Sequence, residues 1–448
     1  MTISSKKESF LLLLGDLFIF AISIWVSLAI RNGELPEWTL YKSNLIPFLI
    51  IFLAWIIVFF IAGLYDKYTT ILKDKIPGRI FNAQLGNTVL AIMFFYFLPY
   101  FGVAPKTILF IDLIVSFVLI YIWRIYSNYL FGLKNKESAI IIGSGEEMLE
   151  LEKEVGDNPR SALKFVSSID LDKVSGIDFA DEIVKRVYSE NIAVIVVDLK
   201  DDRVEPILPH LYNLIFSGVK FVDMYKVYED VFDREPLTLV RYNWFLENIS
   251  TDAKITYDIL KRAMDMVVGL VTGIISLIFY PFVILAIKLD DGGSVFIVQE
   301  RVGKNNVPIK AYKFRTMKRN ETDLSKGANN KVTRIGGFLR KSRIDELPQI
   351  WAVLGGSLSL IGPRPELPSG VALYEKEIPY YGIRHLIKPG LSGWAQLYHD
   401  NHPHHGFGVE QTKEKLSYDL YYLKNRSFML DVQIGLKTIK KLLSRSGI

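Results

Sequence analysis

No cysteine occurs in the 448 residues. Disulfides, thiolate metal sites and cysteine nucleophiles are thereby excluded. Charge of one sign is also scarce, with a formal excess of only +5, and so small an excess leaves no footprint for nucleic acid, which is not expected as a partner. Histidine numbers six, and His399, His402, His404 and His405 crowd into one short stretch. Apolar side chains are abundant, half of all residues, with 13% aromatic. This is a composition for more than one domain and for a membrane protein.

Apolar runs cover about residues 8–30, 46–64, 82–101 and 107–130, each near the roughly 20 residues that cross a bilayer. The first is long and has no small-residue cleavage site, so it reads as a retained span and not as a cleaved signal. Lys6 and Lys7 precede it, Lys67, Lys73, Lys75 and Arg79 occupy the second loop, and Lys134 and Lys136 follow the fourth run. Only Arg31, Lys42 and Lys106 flank the other two loops, so the positive-inside rule puts the N-terminus and everything after residue 131 in the cytoplasm. Asp16 and Asp112 lie within apolar runs, where each is expected to face another helix.

From Ser138 to about Glu247 the pattern is that of a soluble α/β domain. "SAIIIGSGEEMLELEKEV" reads as strand, glycine turn and helix, "FADEIVKRVYSENIAVIVVDL" as helix then buried strand, and "VKFVDM" as a further strand. The order is Rossmann-like. Met148 stands where the dinucleotide fingerprint has its third glycine, which favours a structural role, a homodimer contact among them, over nucleotide binding.

The segment from Met264 to Ile287 is again long enough to span. Basic residues flank it on both sides, Lys254, Lys261 and Arg262 before and Lys288, Arg301, Lys304 and Lys310 after, and Pro281 is expected to break or kink it. A re-entrant helix, about residues 262–288, entering and leaving on the cytoplasmic face, satisfies both observations better than a fifth span.

The basic stretch "VQERVGKNNVPIKAYKFRTMKRN" follows, suited to anionic head groups or phosphorylated substrates. Pro348 suits the first turn of a helix through "LPQIWAVLGG", which would set Asp345 and Glu346 at a helix N-terminus that keeps carboxylates ionised. An ionised Asp can act as a nucleophile, and an adjacent Glu can hold a divalent cation by oxygen. In Gly362-Pro363-Arg364-Pro365 the prolines restrict the backbone, presenting Arg364 as a rigid fork for phosphate.

"KRAMDMVVG", "QERVGKNNVPIKAYKFRTM", "TRIGGFLRKSRIDELPQI", "SLSLIGPRPE", "IKPGLSGWAQ" and "KLSYDLYYLKNRSFMLDV" occur in that order. On these blocks the chain from about Ile255 onward resembles the bacterial sugar transferase family, the polyprenyl-phosphate glycosyl-1-phosphate transferases. The N-terminal spans and middle domain are similar to the long form of that family. The resemblance implies a bacterial inner-membrane enzyme of α plus α/β class: four transmembrane helices over 1–132, a cytosolic Rossmann-like domain over 138–247, and a cytoplasmic catalytic domain with the re-entrant helix over 255–448. It also implies that Asp345 attacks the β-phosphorus of a UDP-sugar, a hexose such as Gal or Glc, releasing UMP. Undecaprenyl phosphate then takes the phosphosugar from the aspartate, as the first membrane step of exopolysaccharide, O-antigen or capsule synthesis. By the same resemblance Glu346, with Asp419 as a further acid, would serve Mg²⁺ (or Mn²⁺), and Arg364 a phosphate, with Lys313, Arg315 and Arg340 as additional phosphate contacts.

Three positions depart from the family pattern. Tyr280 stands where Ser commonly precedes the proline, Ala352 replaces an Asn, and "LYHDNHPHHGFG" replaces a short turn; its histidines suit substrate contact or an exposed loop, with metal ligation as the alternative. Two other functions are compatible with parts of the chain. A membrane-bound nucleotide-sugar dehydratase would need a catalytic Tyr and Lys on one helix, a spacing that Tyr257 and Lys261 have. A non-catalytic scaffold for polysaccharide assembly would leave the carboxylate pair replaceable.

Overall fold

The computed structural model describes residues 6–65, 76–97, 106–132, 136–158, 161, 163–173, 178–249, 254–318, 332–398 and 408–443. Lys67, Lys73, Lys75, Lys134 and the histidines His399, His402, His404 and His405 lie outside the described residues. The chain divides into two compact units, Met1–Phe232 and Asp233–Ile448.

The first unit opens with four apolar helices, α1 (Lys6–Asn32), α2 (Trp38–Ile61), α3 (Ile76–Phe97) and α4 (Lys106–Gly132). All four are long and apolar enough to cross a membrane. Helix α2 begins earlier than its apolar run, because the polar turn around Asn44, whose side-chain amide donates to Leu40 O at 2.8 Å, continues the helix toward its N-terminus. The two aspartates both face other helices, as expected. Asp16 pairs with Arg124 of α4 and accepts from Tyr65 at 2.7 Å, while Asp112 accepts from Ser23 of α1 at 2.6 Å. Buried polar groups among apolar helices need such partners. The rest of the interior is aromatic, with Phe20, Phe48, Phe52, Trp55 and Phe59 buried together.

Strand β1 (Glu137–Gly143), helix α5 (Gly145–Asp157), β2 (Leu163–Asp170), α6 (Asp178–Ser189), β3 (Val194–Val197), α7 (Leu208–Leu214), β4 (Lys220–Asp223) and α8 (Met224–Phe232) complete this unit. The strands form a parallel sheet in the order β2-β1-β3-β4. The expected strand, glycine turn and helix are β1, Ser144 and α5; β2, over "LKFVSSID", was not among the expected strands. At the glycine turn Arg203 donates to Ser144 Oγ at 2.8 Å and pairs with Asp172 and Asp201. Glu146 and Glu147 occupy the first turn of α5, where their charge opposes an anion.

In the second unit come α9 (Tyr242–Asn248), α10 (Ile255–Asp291), β5 (Phe296–Val302), β6 (Pro308–Phe314), α11 (Arg334–Lys341), α12 (Ile350–Leu354), β7 (Ser359–Ile361), α13 (Pro368–Glu377), β8 (Gly390–Ser392), α14 (Trp394–Tyr398), α15 (Val409–Asn425) and α16 (Phe428–Leu443). Residues 233–247, read from sequence as the end of the middle domain, pack within this unit: Glu235 N donates to Ser417 O, and Trp394 Nε1 donates to Asp233 O at 2.8 Å. Strands β5 and β6 form an antiparallel hairpin, and β7 and β8 pair in parallel.

Helix α10 spans 37 residues, about 55 Å at 1.5 Å per residue. It is the fifth described helix with the length and composition to cross a membrane. Of the break or kink expected at Pro281, no break occurs, and the helix continues to Asp291. Packing on both sides of the proline holds it: Tyr280 sits edge-on to Phe314 and accepts from Trp351 Nε1 at 3.0 Å, and Val283 and Ile287 are buried with Phe314 and Leu339. Near its other end Lys261 pairs with Asp431 at 2.9 Å and donates to Ile361 O at 2.8 Å. The same folded unit therefore grips α10 at both ends, while Val267, Ile274, Ile278, Phe282 and Leu285 remain exposed along it.

Candidate active site

Pairing in β5 and β6 sorts the basic stretch. With Arg301 opposite Ile309 and Ile297 opposite Lys313, the alternation of side chains puts Gln299, Arg301 and Lys313 on one face and Lys310 on the other. That face meets the turn between α11 and α12.

Asp345 and Glu346 lie in that turn, a 3-10 segment over Ile344–Gln349. The helix expected to follow directly is split into this segment and the five-residue α12, so the dipole of one continuous helix is not what keeps the acids ionised. Neighbouring cations act instead, and they act unequally. Lys313 Nζ donates to Glu346 Oε1 at 2.7 Å and Arg364 Nη2 to the same oxygen at 3.0 Å; Arg343 stands 3.9 Å from Oε2. Burial would raise the Glu346 pKa, but Arg364 and Lys313 outweigh it and hold the carboxyl well below the usual range. Asp345 is buried and has no hydrogen bond or ion pair among the described residues. Burial, then the charge of Glu346, pushes it up to about 6.

Arg343 is held in the left-handed region, φ 57°, a conformation that costs on the order of 1 kcal/mol for a residue with a side chain. Arg340 donates to Thr316 Oγ1 at 2.9 Å, and its charge acts on Asp345. Arg315 is buried and committed to backbone, donating to Ser294 O at 2.6 Å.

The loop bearing Arg364 is clamped by close backbone passage. Gly362 N donates to Ser392 O and Gly390 N to Pro363 O, and a Cβ on Gly390 would meet the Gly362 nitrogen at 2.1 Å. Only glycine permits that approach. Arg384 then joins the loop to Asp419, donating to Arg364 O at 3.1 Å and lying 2.7 Å from Asp419 Oδ2. Asp419 is thus placed behind Arg364 as the buried partner of a guanidinium; among the described residues it makes no contact with Glu346. Burial raises the Asp419 carboxyl, with Arg384 opposing. Arg301 approaches from β5, donating to Pro365 O at 3.4 Å and to Gln299 Oε1 at 2.8 Å.

The structure therefore brings together Asp345, Glu346, Lys313 and Arg364, with Arg340 close behind, and sets Arg315, Asp419 and Pro281 apart. Arg343 and Arg384 were not singled out from sequence. Arg343 is two residues before the pair and was within reach of a spacing argument, whereas "GIRHL" gives Arg384 no signal. Among the described residues no three His, Asp or Glu side chains converge as a metal site. Two adjacent carboxylates, one without a cationic partner, nonetheless offer the sparse all-oxygen donor set that suits Mg²⁺ when substrate phosphates complete its shell.

Residues 256–445 match the family described as Bacterial sugar transferase. The exopolysaccharide production protein PSS of Rhizobium leguminosarum bv. phaseoli is 38% identical over 195 residues, 42% of this chain and 96% of that protein. The chain belongs to the bacterial sugar transferase family. Within it, the UDP-N-acetylgalactosamine-undecaprenyl-phosphate N-acetylgalactosaminephosphotransferase of Aeromonas hydrophila is 40% identical over 198 residues, 43% of this chain and 45% of that protein. The undecaprenyl-phosphate glucose phosphotransferase of Komagataeibacter xylinus is 31% identical over 317 residues, 67% of this chain and 58% of that protein. The chain thus spans about half the length of these two transferases. Membership in this family, with five helices of membrane-spanning length and composition, identifies a membrane protein.

Proposed function

We propose that this bacterial sugar transferase moves a sugar phosphate from a UDP-sugar to undecaprenyl phosphate on the cytoplasmic face of the inner membrane, opening the synthesis of an exopolysaccharide, O-antigen or capsule. The observation that carries the reading is the unequal pair: Glu346 locked as an anion by Lys313 and Arg364 beside an Asp345 that has neither hydrogen bond nor ion pair among the described residues. An Asp345 oxygen bonds to the β-phosphorus of the donor, the bridging P–O bond breaks, and UMP leaves with its electron pair. A phosphate oxygen of the acceptor then bonds to the same phosphorus and the aspartyl P–O bond breaks, restoring the carboxylate. Lys313, Arg364 and Arg301 offset the charge on the phosphoryl oxygens, as phosphoryl transfer requires little more than positioning and cationic clamps. Asp345 and Glu346 would hold Mg²⁺, whose chemistry is to neutralise the donor diphosphate.

The relatives named above act, by their names, on glucose and on N-acetylgalactosamine; UDP-glucose and UDP-galactose head the donor panel for this chain, with UDP-N-acetylgalactosamine beside them. The positive loops support cytoplasmic exposure of the N-terminus and of the second unit. The grip of one folded unit on both ends of α10 supports a helix that enters the membrane and stays on one side of it, since a crossing helix would deliver its ends to opposite faces. The dehydratase reading loses its catalytic pair, because Tyr257 and Lys261 both bond the buried Asp431.

The deciding assay incubates purified protein, Mg²⁺ and undecaprenyl phosphate with the UDP-sugars, and measures the nucleotide released. UMP from one donor, falling at least about 10³-fold in Asp345→Asn, is expected. UDP in place of UMP would overturn the mechanism. Chelation of the metal is expected to stop release and added Mg²⁺ to restore it; release undiminished by chelator would remove the metal from the reading.

A further inference from the structure

The carboxylate pair and Arg364 ride on elements too short to hold their own place. Asp345 and Glu346 lie in the turn that runs into α12, five residues long, and Arg364 follows closely on β7, three residues long. Helices and strand pairs of that length are not stable alone. Arg364 Nη2 nevertheless reaches Glu346 Oε1 at 3.0 Å, so the two elements need a common support. One turn of α10 supplies it.

Arg262 closes the C-terminus of α12, with Nη1 donating to Val353 O at 2.9 Å and Nη2 to Leu354 O at 2.7 Å. A helix leaves its last carbonyls without internal partners, and the guanidinium takes two of them. Asp265, one turn further along α10, holds β7. Its carboxylate is buried, and Oδ1 accepts from Leu360 N at 2.9 Å and from Ser359 Oγ at 3.1 Å. Lys261 adds a bond to Ile361 O at 2.8 Å and is itself fixed by the buried Asp431 of α16 at 2.9 Å. Lys261 and Asp265 are four residues apart, so they lie on one face of the helix. Breaking these bonds would leave a backbone N–H or carbonyl in the interior without a partner, which makes the placement stiff.

We propose that Arg262 and Asp265 are positioning residues of the transfer reaction: through α12 and β7 they fix the carboxylate turn and the Arg364 loop to one rigid helix, and so keep Arg364 on Glu346. Neither bonds the pair or Arg364 directly. The inference rests on the transferase reading and adds to it what maintains the unequal pair, a membrane-type helix whose cytosolic turn serves as the ruler between two loops.

Two experiments on the full-length protein in nanodiscs test it. The first is a mutant cycle read by UMP release. Asp265→Ala is expected to lower kcat about tenfold or more, because small displacements of a reacting group are expensive, while Asp265→Asn, which keeps the accepting oxygen, stays close to wild type. In an Arg364→Ala background the same Asp265→Ala change is expected to cost less than about twofold, since the group it positions is gone. Equal losses in both backgrounds would show a general structural effect and overturn the proposal. Should Asp265→Ala fail to fold, Arg262→Ala carries the same comparison. The second experiment needs no turnover. The chain has no cysteine, so nitroxide labels on Lys341→Cys and Ser369→Cys, both exposed, report the distance between the carboxylate side and the Arg364 side. Asp265→Ala is expected to broaden that distance distribution and Asp265→Asn to restore it; a distribution unchanged in Asp265→Ala overturns the assignment. Should wild type release no UMP from any donor, the transferase reading fails on that result, and the distance measurement still decides whether Asp265 sets the position.

Discussion

Adjacent carboxylates repel, and the distribution of cations around them determines which one takes up a proton first. Lys313 and Arg364 both fall on Glu346, leaving Asp345 at about 6. The nucleophile must be ionised, so its raised value means that the active form is lost on the acid side: kcat/KM for the donor is expected to fall about tenfold per pH unit below pH ~6 and to level off above it. A profile flat down to pH ~4.5 would contradict Asp345 as the group in question. Lys313→Ala removes the closer clamp on Glu346 and is expected to lower kcat/KM by roughly 10²-fold. A buried acid outside the site behaves differently. Glu235 lies 3.6 Å from Lys424, and burial pushes it up to about 7. A folded-state value above the unfolded one favours the protonated form, so stability declines as pH rises from the ordinary glutamate range through 7. Glu235→Gln is expected to raise the thermal midpoint relative to wild type at pH ~8, equivalent to roughly 1–2 kcal/mol, and to change it little at pH ~4.

Among the elements, α10 and α12 set where the carboxylate pair sits. Their contact depends on two small residues: a Cβ on Gly269 would come within 3.2 Å of Leu354, and one on Gly273 within 3.5 Å of Ile350. Gly269→Leu would force α12 away and move the turn that holds Asp345. It is expected to cost about 1–3 kcal/mol of stability and to depress kcat more than KM. Gly273→Ala meets only ordinary contact and is expected to stay within about 0.5 kcal/mol of wild type, since added helix propensity offsets any crowding. The apolar run of α10 was legible from sequence, and its continuation through Pro281 was not. Proline removes one hydrogen bond locally, and whether a helix survives that loss depends on neighbours such as Tyr280, Val283 and Ile287, which acquire partners only after folding.

In the whole molecule, the family match lies entirely within the second unit, Asp233–Ile448, and the Rhizobium relative is matched over 96% of its length by 195 residues. A fragment comprising residues 233–448, expressed into membranes, is expected to retain UMP release, with kcat within about tenfold of the full chain; complete loss in a folded fragment would show that the first unit completes the site. The first unit has its own internal requirement. Removing one member of a buried ion pair strands the other, so Arg124→Ala is expected to destabilise the four helices by about 3–5 kcal/mol, read as a lower midpoint in detergent. The sequence by itself determined the apolar helices, the parallel α/β pattern around "SAIIIGSGEE" and the pairing of Asp345 with Glu346, because each is written in residues that are near one another along the chain. Only the tertiary structure decided that Glu346 takes both cations, that Arg315 turns to the backbone, and that Asp419 is bound to Arg384. Those outcomes depend on contacts between residues far apart in sequence, where burial and competing charges set the balance and local pattern holds no record of them.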